Sequence, residues 1–357
     1  MSGMAETAGG LHDTWRAKNL RYAWRFRNLI PKMARNTLRA RRGERVLRGV
    51  EFAVTYHCNF TCSHCLRDNL IGDREELTAD QIVETARAIE RLGGIFINYT
   101  GGEALLRPDL PEIIERTASI RGLFVSLASN GYILTMDRLS DLRRRGLSMM
   151  TMSLDGPTAA IHDGFRKKTG SYDRVLAAVD NAKSLGIDVW LNAVVRSDLA
   201  REGHLDDLAK LVKELGCMLT LNLPYAVGGW EGKDVHLTPD AYEAYKRMLR
   251  HSWVRWEGSS NWVSEGCPAG IEKLYLTPYG DVLPCGAVHR NYGNVVVHGL
   301  EAIYHRMGSE AGFGTCRKGC LAAEEPHRLD DLKNTATVPK TARVEFVSVR
   351  PRAGAEA

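Results

Sequence analysis

From about residue 50, short runs rich in β-branched and aromatic residues alternate with longer runs whose apolar positions recur every three or four residues. The short runs predict strands at 51–57, 95–100, 123–128, 149–154, 188–195 and 218–223. The longer runs predict helices at 79–92, 110–119, 136–145, 172–184, 205–215 and 241–253. Thr78 and Thr238-Pro239 stand where helices start. Gly93-Gly94, Gly146, Gly186 and Gly216 stand where helices end. Six strand–helix units in series predict an α/β fold of parallel strands with right-handed crossovers. Periodicity leaves open whether the sheet is doubly wound or a barrel. Cys58, Gly101-Gly102-Glu103, Ser129-Asn130, Asp155 and Val195-Arg196 all follow strands. In a barrel those ends converge on one mouth, so a partial barrel is the expected architecture.

After residue 255 the pattern changes. Runs at 273–277 and 281–284 flank Pro278-Tyr279-Gly280 and predict a β-hairpin, bracketed by Cys267 and Cys285. From residue 324 the chain is polar, contains Pro326, Pro339 and Pro351, and reads as a partly ordered tail. The expected division is a basic N-terminal extension (1–47), a barrel (48–255), a small cysteine-rich hairpin domain (256–325) and a tail (326–357).

Composition changes this picture little: 44% hydrophobic and 25% charged residues suit a globular protein. No apolar run approaches the ~20 residues of a membrane span, and residues 1–14 contain no signal-peptide core. The expectation is cytoplasmic. In such a compartment grouped cysteines serve metal or redox chemistry more often than disulfides. Seven of the eight cysteines fall in two groups, Cys58, Cys62 and Cys65 in front and Cys267, Cys285, Cys316 and Cys320 behind. Cys217 stands alone in an apolar stretch and reads as core.

Charge adds one asymmetry. Residues 14–48 hold twelve Lys or Arg against one acid, a net +11, so the rest of this +5 protein sums to −6. Leu20, Trp24, Leu29 and Met33 share a face if this stretch is helical, and Pro31 is expected to bend or end the helix. Two readings stand side by side: an amphipathic helix on an anionic membrane surface, which would allow a lipidic substrate, or a helix packed on the barrel. Nucleic acid is disfavoured, since no nucleic-acid fold signature is present.

The chemistry concentrates at Cys58-x3-Cys62-x2-Cys65. Three thiolates can hold three irons of a four-iron cluster and leave the fourth open to a chelating ligand. The competing arrangement is a zinc knuckle completed by His57 or His64. Four thiolates at the back could close a second cluster or a structural zinc ribbon. A non-catalytic iron–sulfur electron carrier and a zinc-stabilised interaction protein are the alternatives to an enzyme.

The cysteine loop after strand one, Gly101-Gly102-Glu103 after strand two, Ser129-Asn130-Gly131 and Ser153-Leu154-Asp155-Gly156 together resemble the radical S-adenosylmethionine (SAM) superfamily. That resemblance implies a partial (β/α)6 barrel, a [4Fe–4S] cluster on Cys58, Cys62 and Cys65, and SAM bound at the open iron. It further implies SAM contacts from His64, Gly101, Gly102, Glu103, Asn130, Ser153 and Arg166, with Val194 as an apolar wall. The hairpin and Cys267, Cys285, Cys316 and Cys320 resemble SPASM and twitch auxiliary-cluster modules; four cysteines suit one auxiliary cluster. The final pair departs from the usual spacing, with three intervening residues instead of two. The implied reaction is reductive SAM cleavage and hydrogen abstraction from a lipid, aminocyclitol, sugar or peptide substrate. Its reductant would be a flavodoxin or ferredoxin. Asp155, His162, Asp163, Tyr225 and His289 are further polar candidates.

Overall fold

The computed structural model describes residues 26–263, 266–309 and 319–324. Residues 1–25 of the basic extension, Cys316 and the expected tail beyond residue 324 lie outside the described residues. The chain enters through α1 (Ile30–Arg41) and β1 (Gly49–Thr55), followed by α2 (Ala79–Arg91), β2 (Phe96–Gly101), α3 (Leu110–Ala118) and β3 (Phe124–Ser129). Then come α4 (Met136–Arg144), β4 (Met149–Ser153), α5 (Ala159–Arg166), α6 (Ser171–Ser184) and β5 (Asp188–Val194). The barrel continues through α7 (Ser197–Arg201), α8 (His204–Glu214), β6 (Met218–Asn222), α9 (Pro239–Met248) and β7 (Val254–Arg255). Last are β8 (Lys273–Leu276), β9 (Val282–Leu283), α10 (Val295–His298), α11 (Leu300–Ser309) and α12 (Leu321–Glu324).

Among the described residues, nine strands form one sheet in the order β7-β6-β5-β4-β3-β2-β1-β8-β9. Neighbours from β7 to β8 are parallel, and only β8 and β9 pair antiparallel. The six expected strands and their helices are present within a few residues. The hairpin, expected as a separate module, extends the barrel sheet through β8 on β1.

Alternation within each strand separates the two faces of the sheet. Ile97, Tyr99, Leu191, Ala193, Leu219 and Leu221 pack into the main core with residues of the surrounding helices. The alternate residues Asn98, Thr100, Asn192, Val194 and Asn222 line an internal cavity. Helix α2 shows how the outer layer is held. Thr78 Oγ1 accepts from Gln81 N–H, and Gln81 Oε1 accepts from Thr78 N–H, a reciprocal cap worth about 1 kcal/mol. Its Ile82, Ala86 and Ile89 are buried in the core.

The opposite end of the barrel is closed by the N-terminal segment. Phe26 stacks on Phe124 at 4.2 Å between centroids, and Phe124 lies 5.6 Å from Phe96. Leu29, Met33, Val46 and Trp262 join them in one apolar cluster. Lys32 Nζ meets Glu90 Oε1 and the Gly94 carbonyl, each at 2.7 Å. Pro31 opens helix α1, where the expectation was a bend or an end; a first-turn residue needs no N–H partner, so proline is tolerated there. On the outer side, Arg27, Arg35, Arg41 and Arg42 are exposed beside Ile30 (43%) and Leu38 (50%).

Candidate active site

The C-terminal ends of the strands surround a cavity of about 330 Å³. A register shift between Ala53 and Thr55 bends the end of β1 into the cysteine loop. Cys58 Sγ accepts from Phe60 N–H at 3.4 Å, and Cys65 Sγ accepts from Arg67 Nε–H at 3.2 Å. The Cys62 thiol donates to the Arg166 carbonyl at 3.5 Å. All three thiols line the cavity. Burial pushes the Cys58 and Cys65 thiols up, partly offset by the Phe60 N–H at Cys58 and by Arg67 at both. Among the described residues, no three thiol, imidazole or carboxylate groups gather closely enough to hold a single metal ion.

The glycine turn docks directly on this loop. Gly102 N–H donates to the Thr55 carbonyl and Glu103 N–H to the His57 carbonyl, each at 2.8 Å. A Cβ on Gly101 would lie 2.0 Å from Thr55 O, and one on Gly102 would lie 2.2 Å from His57 O. Their small size is thus already needed for the chain's own backbone, while both also face the cavity. Glu103 lies behind the turn, fully buried. Its carboxylate accepts from Ser129 Oγ–H, Asn130 N–H and Leu105 N–H, and ties the β2 turn to the end of β3. Burial without a paired cation pushes Glu103 up to about 7 despite those donors.

The other expected contacts gather on the same cavity. Asn130 donates to Asn59 Oδ1 at 2.8 Å, and Ser153, Val194 and Arg166 stand along the wall. Arg166 Nε meets Asp155 Oδ2 at 2.6 Å, while Asp155 Oδ1 accepts from Val194 N–H at 2.8 Å. Burial works against the Arg166 charge, but Asp155 and the Cys62 sulfur outweigh it and raise its pKa. His64 stacks on Phe165 at 4.0 Å and meets Trp230 at 5.6 Å. Burial, then the Arg166 charge, lower its pKa to about 4, so its ring is neutral. Of the extra candidates, Tyr225 lines the cavity. Asp155 and His162 are buried together, with Asp155 N–H donating to His162 Nδ1. Asp163 caps the start of α6, and His289 bonds the Gly286 carbonyl at 2.9 Å.

Across the cavity stand Cys267, Cys285 and Cys320. Burial, then the neighbouring Cys267 and Cys320 sulfurs, drive the Cys285 thiol far up. The Cys320 thiol meets Tyr225 Oη at 3.6 Å. Cys217, expected in the core, is buried there.

Between the two cysteine groups the barrel interior is polar, a feature no motif announced. Lys273 Nζ pairs with Glu51 Oε1 at 3.0 Å, with Lys273 only 4% exposed. Asn98, Thr151, Asn192 and Asn222 line the same cavity. Thr151 Oγ1 and Asn192 Oδ1 are buried without hydrogen-bond partners among the described residues. Buried polar atoms of that kind are expected to face a ligand or water.

Residues 52–221 match the model of the radical SAM superfamily. The barrel belongs to that superfamily. Radical SAM enzymes carry a [4Fe–4S] cluster and SAM, and an auxiliary cluster would call on the hairpin cysteines. The donor set fits both groups: Cys58, Cys62 and Cys65 line the cavity, as do three of the four back cysteines. An AdoMet-dependent heme synthase of Oleidesulfovibrio alaskensis is 26% identical over 291 residues, covering 71% of this chain and 73% of that protein. A PqqA peptide cyclase of Streptomyces rochei is 27% identical over 306 residues, covering 78% and 82%. The fold is also that of Streptococcus suis SuiB bound to precursor peptide SuiA. The two share a TM-score of 0.61 at 16% identity, over 78% of this chain and 72% of SuiB.

Proposed function

We propose that this radical SAM enzyme oxidises or cross-links an unactivated carbon of a peptide, using Cys58, Cys62 and Cys65 as cluster ligands. The carrying observation is the single cavity that joins these thiols, the Gly101-Gly102 turn and a polar floor. When bound, the cluster and SAM supply a 5′-deoxyadenosyl radical that takes a hydrogen atom from the substrate. Gly101 and Gly102 fix the wall where the methionyl amino group would lie. Arg166, oriented by Asp155, offers its remaining guanidinium N–H groups to a carboxylate. Ser153 and Val194 stand where ribose and adenine would pass, beside the neutral His64 ring. Cys267, Cys285, Cys316 and Cys320 would hold the auxiliary cluster.

The peptide reading rests on the cyclase among the relatives and on the floor. Thr151 Oγ1 and Asn192 Oδ1 offer an unused donor or acceptor to amide groups. An acyl chain would leave them, and the Glu51–Lys273 pair, unsolvated. Oxidoreductase chemistry, a flavodoxin or ferredoxin donor and a cytoplasmic setting belong to the same proposal.

The test is anaerobic incubation of the reconstituted protein with SAM and dithionite. 5′-Deoxyadenosine and methionine should form, and Cys62→Ala should abolish both; continued formation in that variant would sink the ligand assignment. With deuterated candidate peptides, deuterium should appear in 5′-deoxyadenosine and the peptide mass should change. A peptide of unaltered mass alongside a modified tetrapyrrole would instead point to heme-type substrates.

A further inference from the structure

Arg67 belongs to none of the motifs, yet it is the cation that touches the cysteine loop most directly. It sits on the short 3₁₀ turn Leu66–Asn69 that follows Cys65, and it lines the cavity. Its Nε–H donates to Cys65 Sγ at 3.2 Å, and its Nη1 donates to the Tyr56 carbonyl two residues before Cys58. The guanidinium thus spans both ends of the loop. The other arginine at the thiols, Arg166, is matched by Asp155 at 2.6 Å.

We propose that Arg67 sets the reduction potential of the cluster held by Cys58, Cys62 and Cys65. The inference rests on that ligand assignment. Reduction adds one negative charge to the cluster, and that charge spreads onto its sulfur ligands. An N–H···S bond and a fixed cation both stabilise the more negative state and so make the electron easier to accept. A guanidinium is suited to this because it stays charged at every working pH. For a half-buried guanidinium against a sulfur, the interaction is screened less than at the open surface. Arg67 is therefore a positioning and tuning residue, acting on substrate chemistry only through the cluster.

The experiment compares wild type with Arg67→Gln, which keeps an N–H donor and loses the charge, and Arg67→Lys, which keeps the charge and loses the fork. Each anaerobically reconstituted protein is poised at a series of potentials. The reduced cluster is followed by electron paramagnetic resonance, using the component whose signal changes on adding SAM. Iron and sulfide content are measured alongside. The expected result is a midpoint shifted to more negative potential in both variants, more in Arg67→Gln, at wild-type iron content. At the wild-type midpoint the reduced fraction of Arg67→Gln should fall several-fold below one half. An unchanged midpoint in whichever variant retains its iron overturns the proposal. Loss of iron from both variants also overturns it, since Arg67 would then be a brace of the loop. Absence of any SAM-sensitive signal in the wild type would instead strike at the cluster assignment itself.

Discussion

Glu103 shows how one residue can serve the site without touching it. A fully buried carboxyl with no partner cation favours its protonated form, which places its pKa at about 7 in the folded chain. The folded state then holds a proton that the unfolded chain has lost between roughly pH 4.5 and 7, so stability falls as pH rises through that window. Glu103→Gln should be less stable at low pH, where a carboxyl satisfies the surrounding groups better. Its deficit should shrink by up to about 3 kcal/mol as pH rises to 7. Chemical denaturation of the cluster-free protein at several pH values checks this; a constant gap would mean that Glu103 does not gain a proton on folding. At this scale the sequence was only half legible. The cysteines and the glycine turn were readable because their spacing is local. The cavity floor was not, because Glu51, Asn98, Asn192 and Lys273 lie far apart in sequence and meet only when the sheet curls. Their signal was present as polar residues at every second position of apolar strands.

Among the elements, the strap after β6 governs the cysteine loop. Gly229 N–H donates to the Cys65 carbonyl at 3.0 Å, and Gly228, at φ +60°, would place a Cβ 2.2 Å from that same oxygen. Both strain and collision oppose any side chain there. Gly228→Ala should cost on the order of 2–4 kcal/mol and lower the iron retained after reconstitution, while Gly232→Ala, with nothing within 4 Å of its Cβ, should retain wild-type iron. Thermal unfolding and iron analysis of the two variants decide it; equal iron content would show that the strap does not support the loop. The regular strands and crossover helices were legible from periodicity. Helix α5 was not, because it is short, contains Gly164 and begins after Pro157. Helix α11 and the pairing of β8 with β1 were also missed. A four-residue strand carries little periodic signal, and its partner lies more than 200 residues away.

The whole molecule is polarised, with chemistry at one end and a basic helix at the other. The front segment packs on the barrel through Leu29 and Met33, which join the apolar cluster that closes it, while exposed Ile30 and Leu38 stand among Arg27, Arg35 and Arg41. We propose peripheral attachment to anionic membranes through that outer face, which leaves the active-site mouth pointing away from the lipid. The protein should float with phosphatidylglycerol vesicles at low salt and less with phosphatidylcholine vesicles. Arg35→Glu combined with Leu38→Ser should weaken flotation several-fold. Equal recovery with both vesicle types would remove the membrane from consideration. The aromatic seal formed by Phe26, Phe96 and Phe124 has a separate consequence for turnover. A chamber with a wall at its far end is filled and emptied in stack order, so whichever guest settles deepest is the last to leave. Binding sequence should then be readable from simple competition kinetics, before any guest is seen in place.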